Sequence, residues 1–246
     1  MEYSTMDKPK IILLGASLIL FPHPIKELAD AAKENDTVIG FDGSHVLGLI
    51  AGGQFQDPIR EGAQLLFGST HKSLFGPQGG IILANEEPGT YLKEKIYPGF
   101  VDNAHWNRIA ALALALTELK RYGKSYAAQI VRNSKTLAEA LDEYGFPVKC
   151  KHLGFTASHQ TILDYGNIEK SRSIAERLQK ANIITDCVIR IGTCEVTRRG
   201  MKHNDMHKVA ELLKRAIIDR ESPEALKKDV ARLSSEFQRT EYCFRT

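Results

Sequence analysis

The sequence predicts an α/β protein with a mainly parallel sheet, followed by a smaller α+β portion. Three observations predict it. Short, continuously apolar runs at Lys10–Gly15, Thr37–Phe41, Ala63–Phe67 and Gly80–Ala84 have the length and character of strands covered on both faces. The amphipathic stretch Pro24–Asn35 lies between the first two, giving a strand, helix, strand order. From Asn103 onward the chain turns rich in Ala and Leu at helical spacing, with only brief apolar runs between helices.

Each element has a local reason. Pro24 opens a helix with Ile25, Leu28, Ala29 and Ala32 on one face, and proline suits a helix start. The second strand runs into Asp42, and Val46–Ala51 forms a short helical turn broken by Gly52 and Gly53. The strands at Ala63–Phe67 and Gly80–Ala84 flank a polar, glycine-rich segment, Gly68–Gly79. Next come a helix at Ile109–Leu119, a bend near Gly123 and a second helix at Tyr126–Tyr144. Strands follow near Val148 and at Thr161–Asp164, then a helix at Ser171–Ala181, an apolar stretch at Val188–Ile191, and helices at His203–Asp219 and Pro223–Phe237. A domain boundary is expected near residues 120–125, separating 1–122 from 123–246.

Composition narrows the classes. The chain carries 33 Lys+Arg against 30 Asp+Glu, a net charge of +3, with the two signs interleaved. Nothing forms the concentrated basic stripe of a nucleic-acid binder. Hydrophobic residues at 43% and charged residues at 26% exclude disordered and collagen-like classes. The apolar run Ile11–Phe21 is too short to span a membrane and is broken by Gly15, Ser17 and Pro22. Glu2 and Asp7 argue against a signal peptide, so a soluble, cytoplasmic protein without a membrane partner is expected. Cys150, Cys187, Cys194 and Cys243 form no CxxC pair and read as reduced thiols. His203 and His207 sit four apart, but at a polar helix start with no glutamate after His203, so no metal site is expected.

Open α/β sheets bind ligands at the carboxyl ends of their strands. Three polar clusters fall there: Ser17 after the first strand, Asp42 and His45 after the second, and Ser69-Thr70-His71-Lys72 after the third. Lys72 stands among small and hydroxyl-bearing neighbours between two apolar strands. A lysine that condenses with a carbonyl needs partial desolvation and positioning; an exposed lysine in a glycine-rich turn is the other reading. Asp42 can balance a cationic ring nitrogen, as a carboxylate does for pyridoxal phosphate, or it can simply form a turn before Gly43.

Three segments carry a resemblance. Phe41–Ala51 (FDGSHVLGLIA), Ser69–Pro77 (STHKSLFGP) and Ile189–Gly200 (IRIGTCEVTRRG) together resemble the serine hydroxymethyltransferase family, in order and approximate spacing. The resemblance implies a fold type I architecture: residues 1–122 as the C-terminal part of the cofactor-binding large domain, and 123–246 as the small domain. It implies that Lys72 forms the Schiff base with pyridoxal phosphate, Asp42 pairs with the pyridinium nitrogen, His45 lies near the ring oxygen and Ser17 contacts the cofactor. By the same carry-over, His71 and Thr70 flank the linkage and assist proton transfer, while Arg190 grips the carboxylate of an amino-acid substrate. The implied reaction is cleavage or formation of the Cα–Cβ bond of a β-hydroxy amino acid, with tetrahydrofolate taking the one-carbon unit, in a homo-oligomer.

The chain also departs from that pattern. Ser17 matches a position well inside the family's large domain, so the N-terminal part that holds the cofactor phosphate is expected on a separately encoded half. Between Asn182 and Arg190 the folate-binding loop is shortened, which puts tetrahydrofolate in doubt and keeps a folate-independent aldolase or transaldolase in view. Pro98–Asn107 replaces the family's glycine-rich dimer-contact segment, and Gln78 stands where arginine is usual. A truncated remnant that only folds and oligomerises is the non-enzymatic alternative.

Overall fold

In the computed structural model, which describes residues 8–244, four strands form one sheet in the order β1-β2-β3-β4. β1 (Ile11–Leu14), β2 (Val38–Asp42) and β3 (Leu65–Ser69) run parallel, and β4 (Gly80–Ala84) pairs antiparallel with β3. Helix α1 (Ile25–Glu34) makes the crossover from β1 to β2 and buries Ile25 and Ala32. Short α2 (Leu47–Ala51) buries Leu47, Gly48 and Leu49. Ile39, Gly40, Phe41 and Leu66 are the buried residues of its strands, so the core of this unit gathers on the two central strands.

The outer strands correct an expectation. β1 and β4 are not covered on both faces: Leu13 is 62% and Ile82 49% exposed. Each is an edge of the sheet among the described residues.

Helix α3 (Glu86–Ile96) was not anticipated, and it buries no residue. It lacks an apolar stripe; Glu86 and Glu87 in its first turn and Lys93 and Lys95 in its last complement the helix dipole. The two helices expected around Gly123 are a single helix, α4 (Trp106–Glu143). One interior glycine costs only about 1 kcal/mol relative to alanine, and strong helix formers on both sides carry the hydrogen-bond ladder through it.

The described chain divides into two compact units at Lys124–Ser125. In the second, β5 (Gln160–Ile162) pairs antiparallel with β6 (Arg190–Gly192). Val148 makes only an isolated bridge to Leu163 and forms no strand. Around this pair lie α5 (Ile168–Lys180), α6 (Cys194–Arg198), α7 (His203–Ile217) and α8 (Pro223–Ser235), packed on a core that includes Leu141, Leu163, Leu178, Met206 and Leu213. Asn167 caps α5 by accepting from the Glu169 and Lys170 N–H groups, and Ser222 caps α8 ahead of Pro223. Asn133 is fully buried and donates to Thr197 Oγ1 at 2.8 Å and to the Met201 carbonyl at 3.0 Å.

Candidate active site

The site begins where β2 and β3 end side by side. The Gly43 N–H donates to the Phe67 carbonyl at 2.8 Å, extending the ladder by one bond. Asp42 Oδ1 then accepts the Ser44 N–H at 2.9 Å, a side-chain turn that lifts the chain off the sheet. Two hydroxyls lace the following loops together. Ser44 Oγ accepts from the Ser69 N–H at 3.1 Å, and Ser73 Oγ accepts from the Gly48 N–H at 3.0 Å. Gly48 has to be glycine for this approach, because a Cβ there would lie 2.1 Å from the Ser73 carbonyl oxygen. The loop after β1 comes equally close: Gly15, at φ +123°, faces the Asp42 backbone, where a Cβ would lie 2.5 Å from the carbonyl oxygen.

The loop carrying Lys72 is closed on itself. Thr70 donates its N–H to the Gly79 carbonyl at 2.9 Å and its hydroxyl to the Pro77 carbonyl at 2.6 Å, and its own carbonyl accepts from Gly76 at 2.7 Å. Arg108 of α4 fastens the far side, donating to the Gln78 and Gly80 carbonyls at 3.0 and 2.6 Å. These bonds set Lys72 Nζ 3.2 Å from His45 Nε2.

The candidate residues are thus placed unequally. Lys72 and His45 meet. His71 is exposed, with Nδ1 3.4 Å from the Gly79 N–H. Thr70 is fully buried and its hydroxyl is spent on the loop. Lys72 and Asp42 are both exposed, whereas a carbonyl-condensing lysine was expected to be partly desolvated. Ser17 is exposed on the segment after β1. Arg190 opens β6 in the second unit, where its Nε lies 2.9 Å from Asp186 Oδ2.

Sequence reasoning passed over Ser44, Ser73, Arg108 and Asp186. Ser44 and Ser73 lay inside recognisable motifs, but nothing local shows which backbone group each hydroxyl holds. Among the other titratable groups, burial pushes the Cys194 thiol up to about 12, which keeps it protonated, while the Cys194 backbone carbonyl accepts the Tyr126 hydroxyl at 3.3 Å. His203 and His207 lie on α7, and among the described residues no group of three or more His, Cys, Asp or Glu is placed to hold a metal ion. Nor is any helix among them long and apolar enough to cross a membrane.

A family model described as serine hydroxymethyltransferase matches residues 1–213. The chain belongs to the serine hydroxymethyltransferase family. It is 48% identical over 252 aligned residues to the serine hydroxymethyltransferase of Methanocella arvoryzae, covering 96% of this chain and 60% of that protein. It is 46% identical to the Methanocaldococcus jannaschii protein of the same name, with 97% and 60% covered. Among solved structures, an L-threonine transaldolase from Pseudomonas fluorescens in its internal aldimine state matches with a TM-score of 0.90 at 30% identity, over 96% of this chain and 57% of that one. The chain therefore spans about three-fifths of the length of the serine hydroxymethyltransferases it matches.

Proposed function

We propose that this chain carries the reactive lysine of a pyridoxal-phosphate enzyme that makes or breaks the Cα–Cβ bond of a β-hydroxy amino acid, as in serine and glycine interconversion. The observation that carries the reading is the meeting of Lys72 Nζ and His45 Nε2 at the carboxyl ends of β2 and β3. The donor set fits the cofactor: a primary amine for its aldehyde, the Asp42 carboxylate for its ring nitrogen, and an imidazole at the amine. Lys72, Asp42, His45 and Ser17 would hold it. Pyridoxal phosphate, when bound, supplies an electron sink for negative charge developing at the substrate α-carbon.

The remaining work falls to this chain's side chains. Lys72 must present a neutral amine to attack a carbonyl, and His45 can accept a proton from Nζ or return it across 3.2 Å. Asp42, whose Oδ1 accepts the Ser44 N–H at the end of β2, supplies the carboxylate for the ring nitrogen. His71 and Thr70 border Lys72; His71 serves proton exchange at the solvent side, and Thr70 sets the shape of the loop. Arg190 grips the substrate carboxylate, a planar fork suiting a planar anion.

A second reading has its own support. The transaldolase match, together with the short link from Asn182 to Arg190, favours an aldol transfer that uses no tetrahydrofolate. Exposed apolar side chains on both sheet edges favour a chain that works with the polypeptide supplying the rest of the family's length, with a second copy of itself, or with both. The four free thiols suit the reducing cytoplasm.

The test is to add pyridoxal phosphate to the purified chain, with and without the part of a full-length relative that this chain does not match. A visible absorbance band that is lost in Lys72→Ala supports the proposal. No band under either condition would leave a folded, non-catalytic chain. Cleavage of threonine or phenylserine that ignores tetrahydrofolate would decide for the aldol-transfer reading.

A further inference from the structure

We propose that Asp186 is the positioning residue for Arg190, fixing the guanidinium that receives the amino-acid carboxylate; the proposal rests on the function assigned above to Arg190. Asp186 serves the turn and the side chain at once. Its Oδ1 accepts the Val188 N–H at 3.1 Å and the Arg190 N–H at 2.9 Å, while its Oδ2 lies 2.9 Å from Arg190 Nε. One carboxylate therefore fixes where Arg190 leaves the backbone and how its guanidinium is turned.

The turn between them is built to hold that relation. The Asp186 carbonyl accepts the Ile189 N–H at 3.2 Å, and the Ile189 carbonyl accepts the Leu163 N–H at 3.2 Å, anchoring the turn to the strand pair. Ile189 sits at φ +51° with its side chain fully buried. A β-branched residue rarely adopts that conformation and persists in it only where the surroundings over-determine it. Buried packing at Ile189 and the Asp186 carboxylate on either side supply that constraint. Arg190 and Asp186 side chains are 25% and 29% exposed, so solvent screens the pair only in part.

Asp186→Asn separates the two duties, because its amide oxygen still accepts the two backbone N–H groups while the charge facing Nε is lost. Two readouts are made on the chain with pyridoxal phosphate and any complement it needs: solvent exchange of the Arg190 Nε–H by nitrogen-15 NMR, assigned with Arg190→Lys, and glycine affinity by calorimetry. The expected result is faster Nε–H exchange and glycine binding weakened about tenfold, the scale of one charge-assisted hydrogen bond, at an unchanged melting temperature. Asp186→Ala should show both effects and also melt lower. Unchanged Nε–H exchange in Asp186→Asn overturns the proposal. So does unchanged or tighter glycine binding, which would make Asp186 a competitor for Arg190. If the unaltered chain binds no glycine, the assigned function fails, and the exchange measurement alone decides whether Asp186 holds Arg190.

Discussion

Lys72 Nζ lies 3.2 Å from His45 Nε2, although the two residues come from different loops. Their meeting depends on the bonds from Ser69 to Ser44 and from Gly48 to Ser73, which leave the loops little room to slide. The contact is an N–H···N hydrogen bond whose donor depends on the imidazole tautomer: with Nε2 bare the Lys72 nitrogen donates, and with Nε2 protonated the imidazole donates to the lone pair of a neutral amine. Amine chemistry needs the second state within reach.

Replacing His45 by Ala should therefore slow capture of pyridoxal phosphate by Lys72 by about a hundredfold, the lower range for loss of a positioned general base. Stopped-flow absorbance after mixing would measure it. A rate equal to that of the unaltered chain would make the contact incidental.

Gly48→Ala tests the lacing itself. The new methyl would lie 2.1 Å from the Ser73 carbonyl oxygen, a backbone atom that cannot swing aside. We expect destabilisation of roughly 1–3 kcal/mol in urea unfolding, the range for overpacking a buried position. An effect below about 0.5 kcal/mol would show that the loops can part.

In the second unit, Asn133→Ala removes a fully buried amide that donates to both Thr197 and Met201. Buried acceptors stripped of a donor cost about 1–3 kcal/mol, and the vacated volume adds to this. The melting transition of residues 125–246 should fall while the far-ultraviolet spectrum is retained below it.

His23 supplies a pH dependence. Burial beside Phe41, with ring centroids 5.7 Å apart, lowers its pKa below the ordinary 6.5. The unfolded chain then takes up its proton first as pH falls. Its contribution is neutral above pH 6.5, and stability is lost as pH drops from there through the lower folded value. His23→Gln should flatten that part of the stability–pH curve, which urea titrations between pH 7 and 5 would reveal.

How much of this was legible varies with the range of the interaction. The apolar runs at Lys10–Gly15 and Thr37–Phe41 announced β1 and β2, and Pro24 with its apolar stripe announced α1, because strand and helix periodicity is local. α3 had no stripe to announce it, and Gly123 suggested a bend that the cooperative ladder of α4 overrode. Burial of the strands was misjudged at the edges, since a run such as Ile11–Leu14 reads the same whether one neighbour covers it or two.

The sequence by itself determined the family and the candidate residues with their order along the chain: a lysine, a carboxylate and an imidazole at strand ends, with an arginine far downstream. Tertiary structure alone decided which of them touch. It brought His45 to Lys72 and the Ser44 hydroxyl to the Ser69 N–H. The physical reason is that a side-chain hydrogen bond depends on a few ångströms of three-dimensional approach, and the register of two parallel strands, invisible in either strand alone, sets that approach.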